Sequence, residues 1–179
     1  MIIDKHKAIF VHIPKNAGTS IEEYFGNESV RIQPSKHADI YEIKWKFRNS
    51  YNDYRKFTII RNPYDKMVSW YFYLRKMLGK HHRVLEFGEW VKDPSKFWHA
   101  DDPISFLKPQ CEWVDDTVEI IKFENLNKEL NNFFDKEIKL PIINKSKHNH
   151  YSEYYNKKSL DIIYNRYEED FKKYNYEKL

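Results

Sequence analysis

Short runs of apolar residues alternate along the chain with longer stretches in which apolar side chains recur every three or four positions. Ala8–Ile13 is a near-continuous apolar run, the pattern of a strand buried on both faces of a parallel sheet, and Pro14 ends it. A short loop, Lys15-Asn16-Ala17-Gly18, leads into a helix over Thr19–Phe25, with Gly26 as its stop. Ser35 is placed to cap a second helix carrying Ile40, Ile43 and Phe47 at spacings of three and four. Phe57–Ile60 is a second buried strand. The helix after it has the clearest signature: Asn62 caps it, Pro63 suits its first turn, and Asp65 stands three residues after the cap. Met67, Trp70, Tyr71, Leu74, Met77 and Leu78 form its apolar stripe.

Residues 84–92 read as a short helix, and residues 93–116 show no clean period. Thr117–Phe123 is a third strand, followed by a helix through Leu126, Leu130, Phe133 and Phe134. Leu140–Tyr151 is polar and basic and reads as a loop. One last helix carries Leu160, Ile163, Tyr167, Phe171 and Tyr174 on one face. Strands alternating with helices imply an α/β domain with a mainly parallel sheet.

Composition narrows the picture. A chain of 179 residues is the size of one domain, here residues 1–179. An aromatic content of 17% supplies ample core material and excludes a disordered chain. A mean hydropathy of −0.86, with no long uncharged apolar run, predicts no membrane span. The net charge of +4 is a mild bias toward anionic ligands and far short of a nucleic-acid-binding signature. A single cysteine, Cys111, allows no intrachain disulfide and no cysteine zinc site, and is read as a small buried hydrophobe. The N-terminal residues lack a signal-peptide layout, so cytoplasmic residence is the expectation.

The candidate chemistry lies at two strand ends, where open α/β sheets bind ligands. After the first strand, a tight loop with the small pair Ala17-Gly18 opens a helix at Thr19 and Ser20. Backbone N–H groups there would face an anion, aided by the helix dipole, with Lys15 adding a charge and the two hydroxyls adding donors. The loop is not a Walker A sequence, because its lysine stands at the start and no glycine lies four or five residues upstream. The plainer alternative is an ordinary strand–turn–helix connection with Lys15 in solvent. At the second strand end, Arg61 can grip a phosphate with its fork, and Ser69, off the apolar stripe, can hydrogen-bond the same group. The plainer alternative there is a surface ion pair for Arg61.

These two stretches, HIPKNAGTSIE and RNPYDKMVSWY, resemble the 5′-phosphosulfate loop and the 3′-phosphate site of sulfotransferases. EIIKFENLNKELNNFF resembles the strand–helix unit that follows in that family, and LPIINKSKHNHYSEYY with IIYNRYEEDFKKYNY resembles its C-terminal end. The nearest likeness is to carbohydrate sulfotransferases of the heparan-sulfate 2-O-sulfotransferase type and their bacterial cousins. The resemblance implies an α/β, P-loop-type three-layer fold with a mainly parallel central sheet flanked by helices. It implies 3′-phosphoadenosine 5′-phosphosulfate (PAPS) as sulfo donor, adenosine 3′,5′-bisphosphate as product, no metal, and a saccharide or glycoconjugate acceptor. By motif position, Lys15, Asn16, Ala17, Gly18, Thr19 and Ser20 would hold the 5′-phosphosulfate, and Arg61 and Ser69 the 3′-phosphate. Asn144, Lys145 and Ser146 would approach the 3′-phosphate, with a solvated loop as the alternative. Asn16 departs from the Thr, Cys or Ala more often found at its position, which a site built from backbone N–H groups tolerates.

Sulfuryl transfer needs a stabilised leaving phosphate and a base for the acceptor hydroxyl. Lys15 fits the first role. Eight histidines compete for the second. His37 is the choice, because the start of a helix disfavours imidazolium and keeps the ring able to accept a proton; a capping or surface role is the alternative. His12, inside a strand, reads as structural. His6 reads as solvated, and His81, His82 and His99 fall where no element is clear. His148 and His150, in a basic loop, lack a third metal ligand. The five tryptophans are expected mostly in the core. Three other readings compete: a P-loop kinase or NTPase with Glu124 near a metal, a non-catalytic nucleotide- or anion-binding module, and, last, a nucleic-acid binder.

Overall fold

The structure, a computed structural model, describes residues 1–28, 37–48, 50–79, 85–97, 106–143 and 148–179. Its sheet has four strands in the order β1-β2-β3-β4: β1 (Ile2–Ile3), β2 (Ala8–Val11), β3 (Arg55–Ile60) and β4 (Val118–Lys122). β2 pairs parallel to β3, with Phe10 opposite Phe57, and β3 parallel to β4, with Ile59 opposite Ile121. β1 adds an antiparallel edge, Ile2 opposite Ile9. The three predicted strands are present. β1 was not predicted, because a strand of two residues is too short to show a period. A mostly parallel sheet flanked by helices is the α/β, three-layer arrangement that the sequence predicts.

The chain packs as two compact units, Met1–Arg61 with Gln110–Asn144, and Asn62–Pro109 with Lys145–Leu179. The first holds the sheet. Ala8 and Phe10 of β2, Phe57 and Ile59 of β3 and Ile121 of β4 project to one face, as the two-residue period requires. There they bury Ile21 and Phe25 of α1 (Gly18–Phe25) and Leu130 and Phe133 of α5 (Leu126–Phe134). Gly26 does not stop α1 by a left-handed turn; at φ −53° it is helical, and the chain runs on into a single 3-10 turn, Gly26–Glu28. α2 spans Ile40–Lys46 and buries Ile40 and Ile43. Its cap is Asp39, which accepts from the Glu42 amide at 3.0 Å. Ser35, expected as that cap, lies outside the described residues. His37 therefore precedes the helix and does not stand in its first turn.

In the second unit α3 (Pro63–Leu78) is capped as expected, Asn62 accepting from the Tyr64 amide at 2.9 Å. Met67, Trp70, Tyr71 and Leu74 are buried, but Met77 is exposed, so the stripe ends a turn earlier than its period suggested. A short helix α4 (Phe87–Trp90) follows. The single C-terminal helix expected from the pattern is two, α6 (Lys157–Arg166) and α7 (Glu168–Lys173), broken at Tyr167. Three acidic residues, Glu168, Glu169 and Asp170, open α7, and acids favour a helix start over a helix interior. Ile163, Tyr167 and Phe171 still pack on one side, against Tyr64, Met67 and Trp90. Trp70, Trp90 and Trp113 are buried, Trp45 is exposed, and Trp98 lies outside the described residues. Cys111 is half-buried, not the buried hydrophobe expected.

Candidate active site

The loop after β2 is built on strain. Lys15 (φ 70°) and Ala17 (φ 58°) both take the left-handed conformation, which costs roughly 1–2 kcal/mol per non-glycine residue. A fully buried side chain between them offsets that cost. The Nδ2 of Asn16 donates to the Ile59 carbonyl and to Gln110 Oε1, each at 2.7 Å. Left-handed residues on either side of Asn16 curl the chain, a backbone pattern in which successive amides can converge on an anion. The Ser20 and Ile21 amides bond to the Ala17 carbonyl at 2.9 and 3.2 Å. Those of Gly18 and Thr19 make no backbone hydrogen bond among the described residues, and they stand at the positive end of α1.

Gly18 is dictated by its neighbour. A Cβ there would lie 1.8 Å from Nε2 of His12, whose ring covers the glycine. His12 is buried; its Nδ1 lies 3.1 Å from Glu22 Oε1, and its ring meets the His37 ring edge-on at 4.4 Å. Nδ1 of His37 is 3.0 Å from the His12 carbonyl oxygen. A carbonyl only accepts, so Nδ1 carries the proton and the neutral ring has its lone pair on Nε2. This contact, rather than a helix start, gives His37 a defined tautomer suited to accepting a proton. His12, expected to be structural, links Gly18, Glu22 and His37.

Arg61 follows β3 directly. Its Nη1 donates to the Lys15 carbonyl at 3.3 Å, and its guanidinium lies 4.2 Å over the Phe123 ring. Its main chain is gripped by Gln110, which accepts from the Arg61 amide at 3.0 Å and donates to the Arg61 carbonyl at 2.8 Å. Lys15, Asn16, Ala17, Gly18, Thr19, Ser20, His37 and Arg61 all belong to the first unit. Asn16 spends its amide NH₂ on the protein, and the residue as a whole is buried, so, unlike the sequence expectation, it shapes the loop instead of facing an anion itself. Gln110 escaped the sequence reading, because it sits between Pro109 and Cys111 in a stretch with no period.

Ser69 belongs to the second unit, where it is buried on α3, as is Lys66, whose ammonium lies 5.7 Å from the Tyr167 ring centroid. Asn144, Lys145 and Ser146, with His81, His82 and His99, lie outside the described residues. His150 caps the single turn Tyr151–Tyr154 by accepting from the Ser152 amide. Among the described residues no group of three or more His, Cys, Asp or Glu side chains is placed to hold a metal ion. None of their helices is long and apolar enough to cross a membrane.

A strand end that opens through a left-handed loop into a helix, flanked by Lys15 and Arg61, is the kind of place where open α/β sheets bind ligands, and its charges are positive. The chain belongs to the sulfotransferase family, whose model matches residues 1–113. That span runs from β1 to the turn that carries Gln110. Neither the curated proteins nor the solved structures contain a match to the chain. Family membership makes the chemistry the transfer of a sulfo group.

Proposed function

We propose that the chain transfers the sulfo group of PAPS to a hydroxyl of a saccharide or glycoconjugate. The observation that carries this reading is the loop after β2, where the Gly18 and Thr19 amides, which make no backbone hydrogen bond among the described residues, open α1 beside Lys15, whose carbonyl accepts from the Arg61 guanidinium at 3.3 Å. That donor set is cationic and amide-based and fits the phosphosulfate end of PAPS, which when bound supplies the sulfuryl group and its leaving phosphate. The backbone of Lys15, Ala17 and Gly18 and the Thr19 and Ser20 hydroxyls hold the anion. The Lys15 ammonium meets the charge that grows on the leaving oxygen as the S–O bond breaks. Arg61 holds the 3′-phosphate through its fork. His37 takes the acceptor proton on Nε2, with Nδ1–H anchored on the His12 carbonyl.

Calorimetry tests the donor: adenosine 3′,5′-bisphosphate should bind without divalent metal, and ATP should bind weakly with or without Mg²⁺. Metal-dependent ATP binding with no affinity for the bisphosphate would sink the reading. A ³⁵S-transfer assay against a panel of saccharides then identifies the acceptor. His37→Ala should lower transfer by about 10²- to 10⁴-fold, the usual worth of a general base. It should leave bisphosphate affinity near wild type and remove the limb over which activity rises with pH as the imidazole deprotonates. A variant that keeps that limb would exclude His37 as the base.

A further inference from the structure

Beyond β2 and β4 the sheet's backbone pairing ends, yet β3 continues to be hydrogen-bonded. The β2 register stops at Val11 opposite Thr58, and the β4 register at Lys122 opposite Ile60. Past those points two side-chain amides replace the missing strands. Asn16 Nδ2 donates to the Ile59 carbonyl, and Gln110 pairs with both the N–H and the carbonyl of Arg61, as one residue of a neighbouring strand would. The two amides also bond to each other at 2.7 Å across 94 positions of sequence. Their orientation is determined. Oε1 of Gln110 faces two donors and its Nε2 faces a carbonyl, so a flipped amide would set donor against donor.

We infer that Gln110 and Asn16 form a positioning clip that holds the phosphate loop and Arg61 in register for the donor nucleotide. The inference rests on the donor reading above. Both side chains are 0% exposed, so neither touches substrate through its side-chain amide. They act through Lys15, Gly18 and Arg61. The clip supplies what the strained loop lacks. Left-handed Lys15 and Ala17 hold their shape only while Asn16 is anchored, and Asn16 is anchored on the same glutamine that fixes the main chain of Arg61. Both anion-binding segments therefore answer to one side chain.

The test uses Gln110→Met, which keeps length and bulk but loses the hydrogen bonds, and Asn16→Ala, which cuts only the loop arm. In the ligand-free protein, hydrogen exchange at the Arg61 amide and at the Ser20 and Ile21 amides, which bond to the Ala17 carbonyl, should accelerate about ten- to hundredfold in Gln110→Met, relative to β2 and β3. In Asn16→Ala the acceleration should be confined to Ser20 and Ile21. With donor and acceptor, both variants should raise the donor KM and lower kcat while the acceptor KM stays unchanged, a split that general loosening of the fold would not produce. Wild-type exchange at these amides, or an unchanged donor KM, overturns the clip. If Gln110→Met does not fold, Asn16→Ala decides alone by the same two criteria. If the wild-type protein binds no bisphosphate, the donor reading falls, and the exchange rates by themselves decide the clip.

Discussion

β2 and β3 lie side by side in parallel, and each ends in a loop that opens a helix, yet the two ends are made in opposite ways. After β3, the turn is assembled from residues that favour it: Asn62 caps α3 and Pro63 occupies its first position with a backbone already suited to a helix. After β2, the turn is made from residues that resist it. Lys15 and Ala17 sit in the left-handed region, Ala17 caps α1 without a side-chain hydrogen bond, and Gly18 is crowded by a buried imidazole. The relaxed turn presents one side chain, Arg61. The strained turn presents a row of amides beside Lys15. Backbone amides can be aimed together only by bending the chain away from its preferred angles, so the strain falls where, on the proposed reading, the backbone itself would hold the anion.

The largest effect expected from either end is that of Lys15→Ala. Loss of a group that acts on charge developing in the transition state costs about 10²- to 10³-fold in kcat. Bisphosphate affinity should fall much less, since the loop amides remain, and stability should barely change, since alanine takes the same left-handed backbone at no lower cost. Steady-state kinetics beside calorimetry checks this; an equal loss in kcat and in affinity would make Lys15 a simple binding residue. Arg61→Ala should follow the other pattern. A charge-assisted contact to phosphate is worth about 1.5–3 kcal/mol, or roughly ten- to hundredfold in affinity. The loss should be large for adenosine 3′,5′-bisphosphate and small for adenosine 5′-monophosphate. Equal losses for the two nucleotides would remove Arg61 from the 3′-phosphate.

Glycines at the two ends of α1 sharpen the contrast in stability. Gly18→Ala drives a Cβ to 1.8 Å from Nε2 of His12, which must leave its place beside Glu22 and His37. Overpacking of this kind costs about 1–3 kcal/mol, and it should weaken bisphosphate binding as well. Gly26→Ala should do the reverse. Its backbone is already helical and nothing lies within 4 Å of the new Cβ, so the smaller unfolded ensemble should stabilise the protein by about 0.4–1 kcal/mol. Thermal melting of the two variants should move in opposite directions; a neutral Gly18→Ala would mean that the His12 ring is not held over the loop.

Which parts of this were legible in the sequence follows from the same contrast. The α/β class, the three parallel strands and α3 with its Asn62-Pro63 start were readable, because buried runs, helical periods and caps are local and leave a local trace. β1 left none, being two residues long. The break at Tyr167 was hidden beneath a continuous apolar face, although the acidic run from Glu168 to Asp170 marked a new helix start. At the site, the loop and Arg61 stood out as motifs. Gln110 did not, since a polar residue that matters through a partner 94 positions away produces no periodicity. Asn16 looked like a departure from a motif until its buried bonds to Ile59 and Gln110 supplied a reason for an amide there.

The smallest effect belongs to the relaxed end and tests whether its relaxation is real. Asn62 accepts from the Tyr64 amide at 2.9 Å, and its own carbonyl accepts from the Lys66 amide at 2.8 Å as the first turn of α3 closes. Asn62→Ala removes the first of these bonds and keeps the second. An N-cap of this type is worth about 1 kcal/mol, within a range of roughly 0.5–2. Pro63 remains to start the helix, so the loss should lie toward the low end of that range. The Arg61 main chain keeps its pairing with Gln110, so the ratio of bisphosphate to monophosphate affinity should stay at the wild-type value even as the denaturation midpoint falls. A variant that lost that ratio would show that Arg61 is aimed by the cap and not by the glutamine. The two strand ends would then differ less than their backbones suggest.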